Sequence, residues 1–269
     1  MTLSDADLAI AAAEAGAEVV RRYYGTPVDH FAKSHRDFAT TADLEAERAI
    51  LAVIRAERPD DAFLGEESGR SGPAGPRMWM VDPLCGTLNF AVRTPLVAVN
   101  VALRTPAGLT VAAAADPLAG ELFWTDGTGA WVRRAGADEP LLPTGESRLV
   151  DLNLDPPFPN AELFRATTLL ADPEFGAGFG PRVLSTTLAV TWVAAGRRAA
   201  YVTDGHFEDS VHFASGLAIC RAAGCVVTGI QGQPLHTGIG GLLVAADAET
   251  HAALLRLVEK QTSRAAATP

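Results

Sequence analysis

The segment Met78–Phe90, MWMVDPLCGTLNF, sets a carboxylate, a thiol and a hydroxyl close together, on Asp82, Cys85 and Thr87. The apolar run Met78–Val81 reads as a buried strand that ends in Asp82-Pro83. The turn Cys85-Gly86-Thr87 then opens a helix. An acid at the carboxyl end of a strand is a common position for metal binding or catalysis. The free N–H groups of a helix start suit an anion, phosphate above all. One point therefore receives an acid, a thiol and an anion-binding turn at Gly86 and Thr87.

Other elements must hold that point in place. Ser4 followed by Asp7 is a capping-box-like start for an amphipathic helix to about Tyr24. Thr40 with Asp43 starts a second helix, which turns Leu44, Ile50, Leu51 and Ile54 toward the core. Strands are expected near Ala62–Leu64, Met78–Val81, Leu96–Leu103, Leu109–Ala115, Glu121–Thr125 and Ala130–Arg134, with Gly69–Pro76 as a surface loop. Pro140–Pro159 is proline-rich with little periodicity and reads as a boundary. Beyond it the pattern alternates: helix near Thr186–Ala195, strand Ala199–Thr203, helix Val211–Ala223, strands Cys225–Thr228 and Leu242–Ala246, helix Glu249–Lys260. Such alternation argues for α/β layers. The tail Ser263–Pro269 is expected to be disordered.

Composition narrows the function. A chain of 269 residues can form one large unit or two sub-domains with ample core. Its net charge of −10 and pI near 5.0 argue against a general nucleic-acid or anionic-membrane binder. The N-terminus lacks the basic and apolar regions of a signal peptide, and no apolar run approaches membrane-spanning length. Cys85, Cys220 and Cys225 suggest no disulfide framework, which fits a reducing cytoplasm. Cys220 and Cys225 read as small buried hydrophobes, and His30, His35, His236 and His251 belong to no motif.

The chain resembles the inositol monophosphatase superfamily, whose signature is Asp-Pro-x-Asp-Gly-Thr; here it stands as Asp82-Pro83-Leu84-Cys85-Gly86-Thr87. Lys33…Asp37-Phe-Ala-Thr40-Thr-Ala-Asp43 resembles the family's early segment, and Gly65-Glu66-Glu67-Ser68 its Gly-Glu-Glu-Ser motif. Ala115-Asp116-Pro117 with Glu121-Leu122-Phe123, Gly129-Ala130-Trp131, Val193–Gly196 and Arg221–Gly224 continue the match. The family's Trp-Asp-x-Ala-Ala-Gly motif aligns with Val211-His212-Phe213-Ala214-Ser215-Gly216, so His212 stands where a metal aspartate would be.

The resemblance implies an αβαβα layered sandwich in two contiguous sub-domains, probed as 1–145 with the Gly-Glu-Glu and DPLCGT motifs and 146–269 with His212, paired as a homodimer. It implies a Mg²⁺-dependent hydrolase of small phosphate monoesters, with a metal at Glu66, Asp82 and the Leu84 carbonyl and a water oriented by Asp43 and Thr87. The bland reading makes Glu66 and Asp82 loop carboxylates, Thr87 a helix cap and Asp43 a first-turn acid. The second metal position would be Asp82, Cys85 and His212, a set that suits Zn²⁺ better than Mg²⁺. Three readings stay open: a phosphatase with an altered metal site, a metal-free Cys85–His212–Asp82 nucleophile, base and orienter, and a non-catalytic anion-binding relative. The family's inositol-selecting Glu aligns with Gly205, and its Gly-Ser/Thr-Ala turn with Ser185-Thr186-Thr187. The expected ligand is therefore a small phosphorylated or polyhydroxylated metabolite, with inositol phosphate in doubt.

Overall fold

Ser4 accepts the Asp7 backbone N–H at 3.1 Å and opens helix α1 (Asp5–Tyr23), as its spacing predicts. Strands β1 (His30–Ala32) and β2 (Phe38–Thr40) form a two-stranded antiparallel ribbon. Thr40 ends β2 and caps α2 (Thr41–Glu57), where its backbone N–H donates to Asp43 Oδ2 at 2.7 Å and Asp43 completes a capping box. The description rests on a computed structural model and covers residues 2–33 and 37–266; His35 and the last three residues of the expected tail lie outside it.

Eight strands follow as one sheet: β3 (Ala62–Gly65), β4 (Gly69–Ser71), β5 (Met78–Cys85), β6 (Ala98–Thr105), β7 (Gly108–Asp116), β8 (Glu121–Thr125), β9 (Ala130–Arg134) and β10 (Ala137–Pro140), in the order β10-β9-β8-β7-β6-β5-β3-β4. The short helix α3 (Thr87–Ala91) sits between β5 and β6. Only β3 and β5 run parallel; the other pairs are antiparallel. The apolar faces of α1 and α2, with Leu8, Val20, Ile50 and Ile54, pack with Phe63, Trp79, Val81, Val99 and Leu103 in one core. Gly16 permits this closeness, since a Cβ there would lie 2.7 Å from Ile50 Cδ1.

The rest of the chain supplies β11 (Leu149–Leu152), α4 (Ala166–Leu170), α5 (Pro173–Gly178), β12 (Gly180–Val183), α6 (Leu188–Ala194), β13 (Ala200–Thr203), α7 (Val211–Ala223), β14 (Val226–Thr228), β15 (Leu242–Ala245) and α8 (Ala248–Ala266). A five-stranded mixed sheet has the order β12-β11-β13-β15-β14. Its core gathers Val150, Leu152, Phe164, Val202, Leu243, Leu254 and Val258.

Contacts divide the chain into two compact units. One comprises residues up to Pro140 with Thr186–Leu188 and Val211–Ala222; the other comprises Leu141–Ser185, Ala189–Ser210 and the chain from Ala223 onward. Helix α7, which carries His212, thus packs with the N-terminal unit.

Three local expectations need correction. Gly69–Ser71 is a strand, because it pairs antiparallel with β3. The last helix runs through Ala266, past the expected end at Lys260. Strand β5 continues through Asp82 to Cys85, so Asp82 lies inside a strand and not beyond its end.

In the second unit, Asp151 is buried and accepts from Arg198 Nε at 2.8 Å. Burial pushes its carboxyl up to about 6 despite the Arg198 charge. An unfolded Asp titrates near 3.9, so the fold binds this proton more tightly than the open chain. That contribution to stability is complete below about pH 4 and is lost as pH rises through about 6. Relative to Asp151→Asn, the wild type should therefore lose on the order of 2 kcal/mol between pH 4 and pH 7. Urea unfolding of both proteins across that range measures it; a gap that does not change with pH contradicts the assignment.

Candidate active site

Strand β5 carries a bulge at the point where chemistry is expected. Asp82 pairs with Asn100 of β6, and pairing resumes at Cys85 with Ala98. One strand thus spends one residue more than its partner. In a regular strand, side chains three residues apart face opposite sides; the extra residue restores the same side. Asp82 and Cys85 can therefore share a site. Gly86 follows with φ 93°, where a Cβ would lie 2.8 Å from the Leu96 carbonyl. Only glycine suits that turn.

Asp82 is fully buried, and its Oδ2 lies 2.8 Å from His212 Nδ1 at the start of α7. Glu66 follows β3, with its N–H donating to the Val81 carbonyl at 3.0 Å. Its Oε2 is 3.9 Å from His212 Nδ1, and its Oε1 accepts from Lys33 Nζ at 3.0 Å. Lys33 also donates to Glu67 at 2.7 Å. Thr87 Oγ1 lies 2.9 Å from Asp43 Oδ1 and 3.2 Å from the Leu84 carbonyl. The structure thus brings Glu66, Asp82, Cys85 and His212 into one group, and joins Asp43 of α2, Leu84 of β5 and Thr87 of α3 in another.

The helix expected at Cys85-Gly86-Thr87 is α3, only five residues long, with no side-chain cap on its first turn. So short a helix sums few peptide dipoles, and the backbone gives the thiol little help toward thiolate. Burial pushes the Cys85 thiol up and the Asp82 charge adds to it; hydrogen bonds from His212 and Thr187 oppose this without reversing it. Burial opposes charge on His212, but the Asp82 carboxylate and its hydrogen bond push the imidazole up to about 12. Asp82 itself is held below the usual carboxylate range by His212, against its burial. Burial, followed by the Asp82 charge, drives Glu66 up to about 9. Burial also raises Asp43 above the usual range.

Sequence reasoning missed a buried polar chain behind Cys85. Ser215 Oγ donates to Asn100 Oδ1 at 2.7 Å, and Asn100 Nδ2 donates to Thr187 Oγ1 at 3.0 Å. Thr187 in turn stands beside the Cys85 thiol and lowers its proton affinity. The signal was present: Asn100 is polar within the apolar run LVAVNVAL, and Ser215 stands three residues after His212, on the same side of a helix. Cys220 and Cys225 are both buried, away from any such cluster.

Glu66 Oε2 and Asp82 Oδ1 are buried and meet no N–H or hydroxyl donor, and the two carboxyl groups stand close enough to share a proton. Buried oxygens without such donors are costly, and they are the donor type that Mg²⁺ takes. Glu66 and Asp82 thus offer hard oxygen donors of the kind a Mg²⁺ position needs. The second position does not fit: it offers Cys85 and a His212 already bonded to Asp82. Asp82, Cys85 and His212 each place one ligand atom within 4.8 Å of the others.

A mixed α/β chain with buried acids beside a Gly-Thr turn stands with the metal-dependent phosphatases in architecture. Residues 3–263 match the model of the inositol monophosphatase family, and the chain belongs to that family. It is 32% identical to Nus factor SuhB of Escherichia coli K12, covering 96% of this chain and 97% of the relative. It is 30% identical to an inositol-1-monophosphatase of Caulobacter vibrioides, over 91% and 97% of the two chains. The crystal structure of extragenic suppressor protein suhB from Bartonella henselae superposes with a TM-score of 0.82 at 26% identity, covering 94% of this chain and 98% of that one. The fold is thus the mixed α/β fold of that family, and no helix among the described residues is long and apolar enough to cross a membrane.

Proposed function

We propose that the protein hydrolyses a small phosphate monoester through an altered metal site. The observation that carries this is the Asp43–Thr87 contact at 2.9 Å beside the carboxyl groups of Glu66 and Asp82, which no N–H or hydroxyl donor reaches at Oε2 and Oδ1. Thr87 Oγ1, held by Asp43, keeps a lone pair for the proton of an incoming water. As the water attacks phosphorus, its proton passes to Thr87 and that of Thr87 to Asp43, while the P–O ester bond breaks and the leaving alcohol oxygen takes a proton from solvent water. Burial raises the proton affinity of Asp43, which suits it as the terminal base. Glu66, Asp82 and the Leu84 carbonyl would hold Mg²⁺, which when bound draws charge from the phosphoryl oxygens. The Gly86–Thr87 turn would hold the ester's phosphate through its backbone N–H groups. His212, kept cationic by Asp82, and Lys33 on Glu66 already offset much of the acidic charge. Mg²⁺ binding should therefore be weaker than in a site with the full acidic set.

The closeness of Cys85, His212 and Asp82 also favours the thiol reading. Against it, burial and the Asp82 charge hold Cys85 as a neutral thiol, and attack requires thiolate. On the hydrolase reading the protein is a cytoplasmic homodimer acting on a small phosphorylated or polyhydroxylated metabolite, with no nucleic-acid or membrane partner. With Gly205 in place of the inositol-selecting Glu, inositol monophosphate should be turned over slowly.

The test is phosphate release from a panel of sugar, polyol and nucleoside monophosphates, with calorimetric titration of Mg²⁺. Mg²⁺-dependent release from at least one ester, with Mg²⁺ binding weaker than micromolar, is expected. No release from any ester, with or without Mg²⁺, sinks the hydrolase reading and leaves a thiol enzyme or an anion-binding relative.

A further inference from the structure

We propose that Asp82, Cys85 and His212 bind one thiophilic divalent ion, of which Zn²⁺ is the type, at the position where Mg²⁺ does not fit. This builds on the altered metal site proposed above but not on hydrolysis. One oxygen, one sulfur and one nitrogen donor form a set that Mg²⁺ takes poorly and Zn²⁺ takes well.

The geometry is nearly assembled. The three ligand atoms lie within 4.8 Å of one another. Bonds of about 2.0–2.3 Å in a tetrahedral site give ligand-to-ligand edges of about 3.3–3.8 Å. Any wide edge therefore has to close by no more than about 1.5 Å, and the 2.8 Å Asp82–His212 contact has to open slightly. The fully buried Asp82 turns Oδ1 away from every N–H and hydroxyl donor and toward Glu66. It is the sort of buried acceptor for which a cation is the natural complement.

The surroundings are built as well. Metal ligands are oriented by outer hydrogen bonds. Here Ser215 donates to Asn100 at 2.7 Å and Asn100 donates to Thr187 at 3.0 Å, and Thr187 stands beside Cys85. Asn100 and Ser215 are buried to within 2% of complete, so the chain is fixed in the core. The β5 bulge puts Asp82 and Cys85 on one side of the strand, and α7 supplies His212 and Ser215 from one face. The His212 side chain keeps 44% exposure, which gives an ion a way in. Three protein donors leave a fourth position for water or a substrate oxygen, the pattern of reactive zinc sites.

Charge and protons balance. Zn²⁺ enters, the thiol proton and the imidazolium proton leave, and the Asp82 carboxylate moves from the imidazolium to the ion. Without the ion, the Asp82–His212 pair closes the site.

The full chain, stripped with chelator and reloaded with ZnCl₂, should retain one Zn²⁺ per chain by elemental analysis after desalting. Loaded with Co²⁺ instead, it should show a thiolate-to-cobalt charge-transfer band. Zn²⁺ should protect Cys85 from iodoacetamide and leave the labelling of Cys220 and Cys225 unchanged. Cys85→Ser should abolish the band and weaken Zn²⁺ binding by more than the about 10–100-fold that loss of an outer partner costs, and Thr187→Val should fall within that about 10–100-fold range. If Cys85→Ser does not fold, protection of Cys85 in the wild type decides. No retained Zn²⁺, a band that survives Cys85→Ser, or Cys85 labelling as fast with Zn²⁺ as without it overturns the proposal. Mg²⁺-dependent phosphate release is read on the same preparations. Zn²⁺ binding without hydrolysis defeats only the hydrolase reading, and hydrolysis without Zn²⁺ binding defeats only this one.

Discussion

Asp43→Asn should lower Mg²⁺-dependent phosphate release by about 10²–10⁴-fold, the range expected when a general base is lost. Asp43 does two jobs with separate oxygens. Oδ2 accepts the Thr40 N–H at 2.7 Å and the Thr40 hydroxyl at 2.6 Å, and so holds the start of α2. Oδ1 lies 2.9 Å from Thr87 Oγ1. An asparagine can keep its carbonyl toward Thr40 and preserve the cap. Its amide then faces Thr87 as a donor, and the Thr87 proton has no base to move to. The stability loss should stay near about 1 kcal/mol, the usual scale of a helix cap. Rate and fold are thereby separated: kcat at saturating Mg²⁺ and substrate should collapse while circular dichroism and unfolding midpoints stay near wild type. A variant with unchanged kcat and lower stability would make Asp43 a cap and nothing more.

Much of the fold was legible because its signals are local. Ser4 and Thr40 cap helices as their spacing says, and β8, β9 and α7 begin and end where periodicity places them. Short strands were harder. β1, β2, β4, β10, β11 and β12 span three or four residues each, too few for alternation to show, and their pairing depends on partners distant in the chain. The site was legible as a set of residues and not as a geometry. Asp82, Cys85 and His212 could be named from the motifs, but the bulge that gives Asp82 and Cys85 a common face is a property of the β5–β6 pairing. The surroundings of the Cys85 thiol were hidden for a similar reason. The motif shows a helix start; only the structure shows that α3 has five residues and that a buried Asp82 stands against the sulfur.

The double change Cys85→Asp with His212→Asp should turn the site toward Mg²⁺ and raise Mg²⁺-dependent hydrolysis by about 10²-fold or more, the scale of a single charge-stabilising contact at a reacting centre. In the wild type the acids Glu66 and Asp82 face the cations His212 and Lys33. A divalent ion must therefore enter where charge is already nearly balanced. Two more carboxylates and one cation fewer shift the site's charge by three toward negative. The added oxygens are the hard donors that Mg²⁺ prefers. The single changes should do much less. Cys85→Asp alone leaves the His212 imidazolium on Asp82, where it competes with the ion. His212→Asp alone leaves a thiol that Mg²⁺ will not take. The coupling should be positive and larger than the sum of the singles, as expected for groups that touch one ion. Metal-free, the double variant should be less stable than wild type, because like charges crowd a buried pocket. Saturating Mg²⁺ should recover that loss by mass action. Thermal unfolding with and without Mg²⁺ is thus a second readout that needs no substrate. If Mg²⁺ raises the melting temperature and no ester is hydrolysed faster, the ion site is restored but the water-orienting pair Asp43–Thr87 is not competent. If Mg²⁺ does neither, Cys85 and His212 do not stand at a metal position, and the altered-site reading falls.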